Sequence, residues 1–148
     1  MKAKLLLANF PLRVEDIQLI NPMGMMASGH VTPSDHLFLV AKETSDRNKL
    51  YDVLAVAEGH VVSVQWRPNP TGGQLDPTVF DRAVDLKVVV EHSATCWSYV
   101  DHLVALDPAI RKQVGDAYQP GMPVFVRVPV KAGQPIGKVR GVSPSTSP

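Results

Sequence analysis

Three side chains that could bind a metal or transfer a proton lie within seven residues of one another: His30, Asp35 and His36. Imidazole nitrogens and carboxylate oxygens are common zinc ligands, and a histidine beside a carboxylate can also move a proton. The segment also fits a polar turn before a strand, with Asp35 or a nearby serine capping backbone amides. Because side chains alternate along a strand, we expect His36 to face away from Asp35 and to make hydrogen bonds rather than bind a metal.

Two further histidines could join this cluster. His102 belongs to the strand-like segment 99–103, which is otherwise suited to burial, and a buried imidazole needs a hydrogen-bond partner. His92 ends a run of valines and could point into the same cleft. His60 follows a predicted turn and is expected to face solvent. Cys96 is interpreted as a small apolar residue, since no motif supports a thiolate site and a single cysteine cannot form an internal disulfide.

Short β-branched runs separated by glycine and proline predict the elements that position these residues. Two such runs within 51–66, joined by Ala57-Glu58-Gly59, predict a hairpin in which Gly59 takes a positive φ. The other predicted strands lie at 35–42, 86–92, 94–103, 123–130 and 134–139, and 11–20 is a short strand or an irregular lead-in. Many short antiparallel strands of this kind favour a small β-sandwich or barrel.

One helix is predicted at 107–116, because Asp107 can cap it, Pro108 fits its first position, and Ile110 and Val114 share one face. A second helical turn is predicted at 76–82, and 67–73 is expected to be an exposed loop. The predicted fold class is therefore mainly β: a small antiparallel β-sandwich or barrel-sandwich hybrid with one or two short helices.

Composition limits the function classes. We expect one domain over residues 1–141, followed by a linker-like tail at 142–148. The net charge of +1 gives no basis for a nucleic-acid partner. No run approaches the roughly 18 apolar residues of a membrane span. The apolar run near the start is too short for a secretory signal peptide, so we expect a cytoplasmic chain or one whose targeting segment has been removed.

Three segments, taken in order, resemble the lysostaphin-like zinc endopeptidases of bacterial cell walls, which have a duplicated hybrid motif β-fold. The segment 53–62 is similar to the family's V-x-A-x-x-x-G-x-V hairpin. The segments 88–92 and 99–103 resemble its two histidine-bearing strands, and 130–137 resembles its V-K-A-G-Q-x-I-G turn. The resemblance covers roughly residues 30–141 and implies a hybrid barrel fold, an extracytoplasmic location, and peptide or cell-wall material as a partner.

The resemblance also implies a zinc site. By position, His30 and Asp35 would be zinc ligands, His102 would be the catalytic histidine, and His36 or His92 could supply a missing ligand. Zinc with an open position would lower the pKa of a bound water to about 7, for attack on an amide. This chain departs from the family's pattern: four residues separate His30 from Asp35 where the family has three, and no His-x-His occurs.

We therefore expect a non-catalytic relative of these peptidases that acts as a binding or scaffolding module. The first alternative is an active zinc endopeptidase that cleaves cell-wall-type peptides. The second alternative is a metal-free carrier or ligand-binding hybrid barrel, although the turn at 57–59 lacks the modifiable lysine of a swinging-arm carrier.

Overall fold

The computed structural model describes residues 7–26, 35–46, 49–67, 85–115 and 121–141. Strands make up 54% of these residues and helices 10%, so the prediction of a mainly β antiparallel fold is confirmed. Within these ranges the three sheets are open and do not close into a barrel. No helix in these ranges is long and apolar enough to cross a membrane.

Most of the secondary-structure elements are short strands. In chain order they are a 3₁₀ turn (Val14–Asp16), β1 (Ile17–Asn21), β2 (Phe38–Ala41), β3 (Leu50–Leu54), β4 (Gly59–Arg67), β5 (Asp85–Ser93), β6 (Cys96–Leu103), β7 (Ala105–Leu106), α1 (Pro108–Val114), β8 (Pro123–Val130) and β9 (Pro135–Arg140). The sheets are β1-β2, β3-β9-β7 and β6-β5-β4-β8, and all of their pairs are antiparallel.

One hydrophobic core lies between the sheets. Its buried side chains come from all three sheets and from α1, and the most deeply buried are Leu103, Ile110, Ile136, Val53, Val61, Val64, Val88 and Val90. Alternate residues of β5 face this core, as the strand's burial pattern shows. The same alternation places the other side chains of β5 on the outer face of the four-stranded sheet.

The predicted hairpin around Ala57-Glu58-Gly59 is wrong. Both flanking strands exist, but β3 pairs with β9 whereas β4 pairs with β5 and β8, so the turn crosses from one sheet to the other. Gly59 opens β4 without a positive φ. Ala55 and Ala57 are buried, because the crossing carries their side chains into the core.

A second crossing turn, at 131–134 between β8 and β9, lies against the first. The Ala55 N–H donates to the Gln134 carbonyl at 2.9 Å, and the Gly133 N–H donates to the Ala55 carbonyl at 2.8 Å. Gly133 has φ +76°, which glycine adopts without strain. These backbone bonds tie the two sheets together at one end of the sandwich.

The helix prediction is confirmed in α1. The Asp107 carboxylate accepts a hydrogen bond from the Ala109 N–H at 2.9 Å, and Ile110 and Val114 are buried.

The prediction that Arg67 lies in an exposed loop is wrong, because Arg67 is the last residue of β4 and is half-buried. Several predictions lie outside the described residues: the rest of that loop, the helical turn at 76–82, the position of His30 and the tail 142–148.

Candidate functional site

A groove of about 670 Å³ separates β2 from β6. Consecutive residues form each wall, 35–41 on one side and 97–102 on the other. Side chains on a strand alternate between its two faces, so the unbroken lining runs at 38–41 and 97–100 mean that the groove follows the strand edges there. The apolar side chains of Leu12, Val53 and Val139 also line it.

The wall formed by β6 is an open sheet edge. β6 is the outermost strand of the four-stranded sheet, and within the described ranges it pairs only with β5. Every second residue of such an edge directs its N–H and C=O away from the sheet. Residues 97–102 therefore present about 20 Å of hydrogen-bonding backbone to the groove.

Asp35 and His36 lie on the opposite wall, next to each other. The Asp35 carboxylate is 89% exposed and lies 2.7 Å from His36 Nδ1. The His36 ring packs edge-on against Phe38, with 4.6 Å between ring centroids. The prediction that these two side chains face apart is wrong, because β2 begins only at Phe38 and strand alternation does not apply before it.

His102 lies on the β6 wall in a backbone conformation unusual for its type. Its φ is +65°, the only positive value at a non-glycine residue among those described. The side chain is 66% exposed, so the expectation of a buried imidazole is wrong, and its Nδ1 lies 3.4 Å from Asp85 Oδ1. The positive φ interrupts the alternation of β6, and Asp101 and His102 both line the groove.

A charged network lies next to His102, where β4 ends and β5 begins. Arg67 Nη2 donates to both oxygens of Asp85, at 3.3 and 3.2 Å, and the Asp85 side chain is only 13% exposed. The same nitrogen lies 3.2 Å from Asp101 Oδ1, an oxygen that accepts no well-aligned hydrogen bond within the described part of the chain. Asp85 and Arg67 were not among the predicted site residues. Asp85 begins β5 and Arg67 ends β4, and these two strand ends meet only in the folded sheet.

His92 does not line the groove and is held by two hydrogen bonds. Its Nδ1 lies 2.9 Å from the Glu58 carbonyl oxygen, and its Nε2 lies 2.8 Å from Ser98 Oγ. To bind a metal, the ring would have to give up one of these bonds. Ser98 was not among the predicted residues, since an isolated serine in a strand carries no signal in the sequence.

The predicted zinc ligands therefore divide into two places. Asp35, His36 and the catalytic candidate His102 line one groove, whereas His92 does not line it and is bonded to Ser98 and Glu58. Among the described residues, no three His, Cys, Asp or Glu side chains converge on a point where a metal could bind. His30 lies outside those residues, so the zinc site stays a prediction.

Comparisons with known proteins identify no relative. No family model matches the chain, and no curated protein or solved structure matches it.

Proposed function

We propose that this chain is a binding module for an extended peptide, which adds as a strand to the edge of β6 within the groove. The observation that supports this proposal most directly is the unbroken run of edge residues at 97–102, facing a second strand across an apolar floor. An exposed edge offers donors and acceptors in register with an extended chain, which is how peptides extend existing sheets. The resemblance to lysostaphin-like peptidases favours a peptide as the occupant.

The side chains around the edge define which peptide fits. Alternate residues of an added strand would face the apolar floor at Leu12, Val53 and Val139. We therefore expect a segment of about six residues with apolar side chains at every second position. Backbone hydrogen bonds would supply affinity, and the floor would select the apolar positions.

Two exposed aromatic residues stand at the rim of the groove. Trp97 is 55% and Tyr99 46% exposed, and the ammonium group of Lys87 lies 4.1 Å from the centre of the Tyr99 ring. Large aromatic side chains at the margin of a peptide site often carry much of the binding energy. Truncating Tyr99 to alanine is expected to cost about 1–2 kcal/mol of binding, roughly a 5- to 30-fold rise in Kd.

The test is titration of the protein with hexapeptides of alternating apolar and polar residues, followed by the fluorescence of Trp97. We expect saturable binding that weakens in Tyr99→Ala. Phe125→Ala is the matched control, because Phe125 is 78% exposed on the opposite edge strand of the same sheet. Equal loss in both variants, or no binding by any hexapeptide of the set, would contradict the proposal.

The binding mode has its own control. A peptide N-methylated at every second residue keeps its side chains but loses half of its backbone donors. Every second residue can be N-methylated in two ways, starting at the first residue or at the second. In one of these peptides the methylated nitrogens are those that would donate to β6, so that peptide should not bind. Hydrogen exchange of the β6 amides should slow at alternate residues on binding. Slowing elsewhere with no change in β6 would place the peptide at another site.

A second candidate function is zinc-dependent peptide hydrolysis. It is favoured by one observation: Asp35 and His102 line the same groove, as the resemblance requires of a ligand and a catalytic histidine. The test is metal analysis of protein purified without chelator, for the original chain and for His30→Ala and Asp35→Ala. Stoichiometric zinc that both substitutions remove would support the enzyme. No bound zinc, and no rise in thermal stability on adding it, would contradict it.

A further inference from the structure

We propose that Ser98 and His92 form a nucleophile–base pair that hydrolyses carboxylic esters at the edge of the groove. This activity is distinct from strand addition and requires no bound peptide, although both use the edge of β6. Its basis is a chain of two hydrogen bonds, from Ser98 to His92 and from His92 to the backbone carbonyl of Glu58.

The partners of His92 determine which nitrogen carries the hydrogen. A backbone carbonyl oxygen can only accept, so Nδ1 must donate to Glu58 across 2.9 Å. Nε2 then has a lone pair directed at Ser98 Oγ, 2.8 Å away, and accepts the hydroxyl hydrogen. A hydroxyl that donates to an imidazole held by a third group is the arrangement that activates serine nucleophiles.

The surroundings of Ser98 indicate the substrate class. Ser98 is half-buried on β6 and lines the groove, whose lining also includes the apolar side chains of Leu12, Val53 and Val139. The carbonyl that holds His92 is neutral, so it stabilises an imidazolium less than a carboxylate does. A base of this kind suits esters, whose leaving alcohols need less help from a proton donor than amines do. We therefore assign an ester with a short apolar acyl group.

The reaction balances with water as the only co-reactant. Ser98 Oγ attacks the carbonyl carbon while Nε2 takes its proton, and the bond to the alcohol oxygen then breaks as that oxygen receives the proton. Water attacks the acyl-serine after giving a proton to Nε2, the bond from carbon to Oγ breaks, and Oγ regains the proton. The N–H groups of β6 that point away from β5 can donate to the carbonyl oxygen as it becomes negative.

Covalent labelling tests the nucleophile directly. A fluorophosphonate reacts with an activated serine by forming a P–O bond as fluoride leaves, and intact-mass spectrometry counts the labels. We expect one label on the protein, none on Ser98→Ala, and an unchanged label on Ser93→Ala. Ser93 is the matched control, because it lies exposed at the end of β5 and its Oγ accepts a local bond from the Thr95 N–H.

His92→Asn tests the base without removing the contact to Glu58, since the asparagine amide nitrogen takes the position of Nδ1 and can still donate to that carbonyl. We expect labelling about 100-fold slower or more, the usual contribution of a general base. Hydrolysis of 4-nitrophenyl butyrate should fall with labelling in both Ser98→Ala and His92→Asn. Circular dichroism establishes that each variant is folded.

Two results would overturn the assignment: a folded protein that takes no label, or a label that persists in Ser98→Ala. Peptide binding by the original chain gives an independent readout. If the original chain binds hexapeptide and takes no label, only the esterase is refuted. If labelling is specific and no hexapeptide binds, only the peptide-binding module is refuted.

Discussion

Replacing Gly59 by alanine should destabilise the fold through one steric contact. A Cβ at this position would lie 2.3 Å from the Glu91 carbonyl oxygen and 3.0 Å from His92 Nδ1. The first neighbour is backbone of the paired strand β5, so it cannot rotate away as a flexible side chain would. Either β5 or the turn before β4 must move.

The magnitude follows from three contributions. Overpacking in a well-packed region costs about 1–3 kcal/mol. Moving the turn also weakens the hydrogen bond from His92 to Glu58, which contributes about 1 kcal/mol. Alanine also lowers the conformational entropy of the unfolded chain, which stabilises the folded state by about 0.4–1 kcal/mol. The net loss is about 1–3 kcal/mol, and the melting temperature should fall by roughly 3–10 °C for a chain of this size.

Asparagine at the same position separates two explanations for the glycine. If Gly59 occupied a hairpin turn with positive φ, Gly59→Asn would be clearly milder than Gly59→Ala, because asparagine tolerates that conformation. In the sandwich the obstacle is the Cβ itself, so asparagine should be no better than alanine. Gly121 is the matched control: its φ is +83°, and a Cβ added there would meet no atom of the described residues within 4 Å, so asparagine should be the milder change at that position.

Thermal unfolding followed by circular dichroism, with chemical denaturation alongside, measures the stability of four variants: Gly59→Ala, Gly59→Asn, Gly121→Ala and Gly121→Asn. Two results would refute the steric explanation: Gly59→Ala with the stability of the original chain, or Gly59→Asn markedly more stable than Gly59→Ala. Fluorophosphonate labelling of Gly59→Ala gives a second readout. It should slow, since the Glu58 carbonyl that orients His92 is displaced with the turn.

Three further substitutions have expected outcomes that denaturation can check. Asp107→Ala removes the cap on Ala109 and should cost about 1 kcal/mol, with Asp107→Asn close to neutral. Leu103→Ala leaves a cavity at a fully buried position and should cost about 2–5 kcal/mol; a cost under about 1 kcal/mol would mean that the core closes around the space. Asp85→Ala leaves the half-buried Arg67 without its two bonds and should cost about 2 kcal/mol, whereas Asp85→Asn should cost less.

The elements that the sequence predicted well are those whose signals are local. Asp107, Pro108 and the pair Ile110 and Val114 define the start and the buried face of α1 within eight residues. The β-branched runs likewise gave the positions of β5, β6, β8 and β9. Each of these predictions depends on propensities and periodicities within a single segment, and tertiary contacts did not override them.

The sheet to which each strand belongs could not be predicted in this way. Ala57-Glu58-Gly59 indicates a turn, but not whether the strands on either side pair or separate into two layers. The choice depends on backbone bonds between Ala55 and residues 133–134, far along the chain. Ala55 and Ala57 did carry a weak signal, because small apolar residues at a turn fit a buried crossing better than an exposed hairpin tip.

The candidate site shows the same limit. Asp35, His36 and His102 line one groove, yet the contacts that surround them come from residues with no local signature in the sequence. Asp85 meets His102 only because β5 and β6 pair, and Ser98 meets His92 through the same pairing. A hydrogen bond across two strands depends on their register, which the sequence of either strand alone does not contain.

The three activities proposed for the groove depend on different side chains, so they can be separated by substitution. Strand addition uses the backbone of β6, and only Tyr99 among its side chains is expected to carry much binding energy. Ester hydrolysis depends on the side chains of Ser98 and His92, and zinc binding would require Asp35. Substituting Tyr99, Ser98 and Asp35 one at a time should therefore weaken peptide binding, labelling and metal content respectively. Parallel loss of all three readouts in any one variant would mean that the fold was damaged rather than the site.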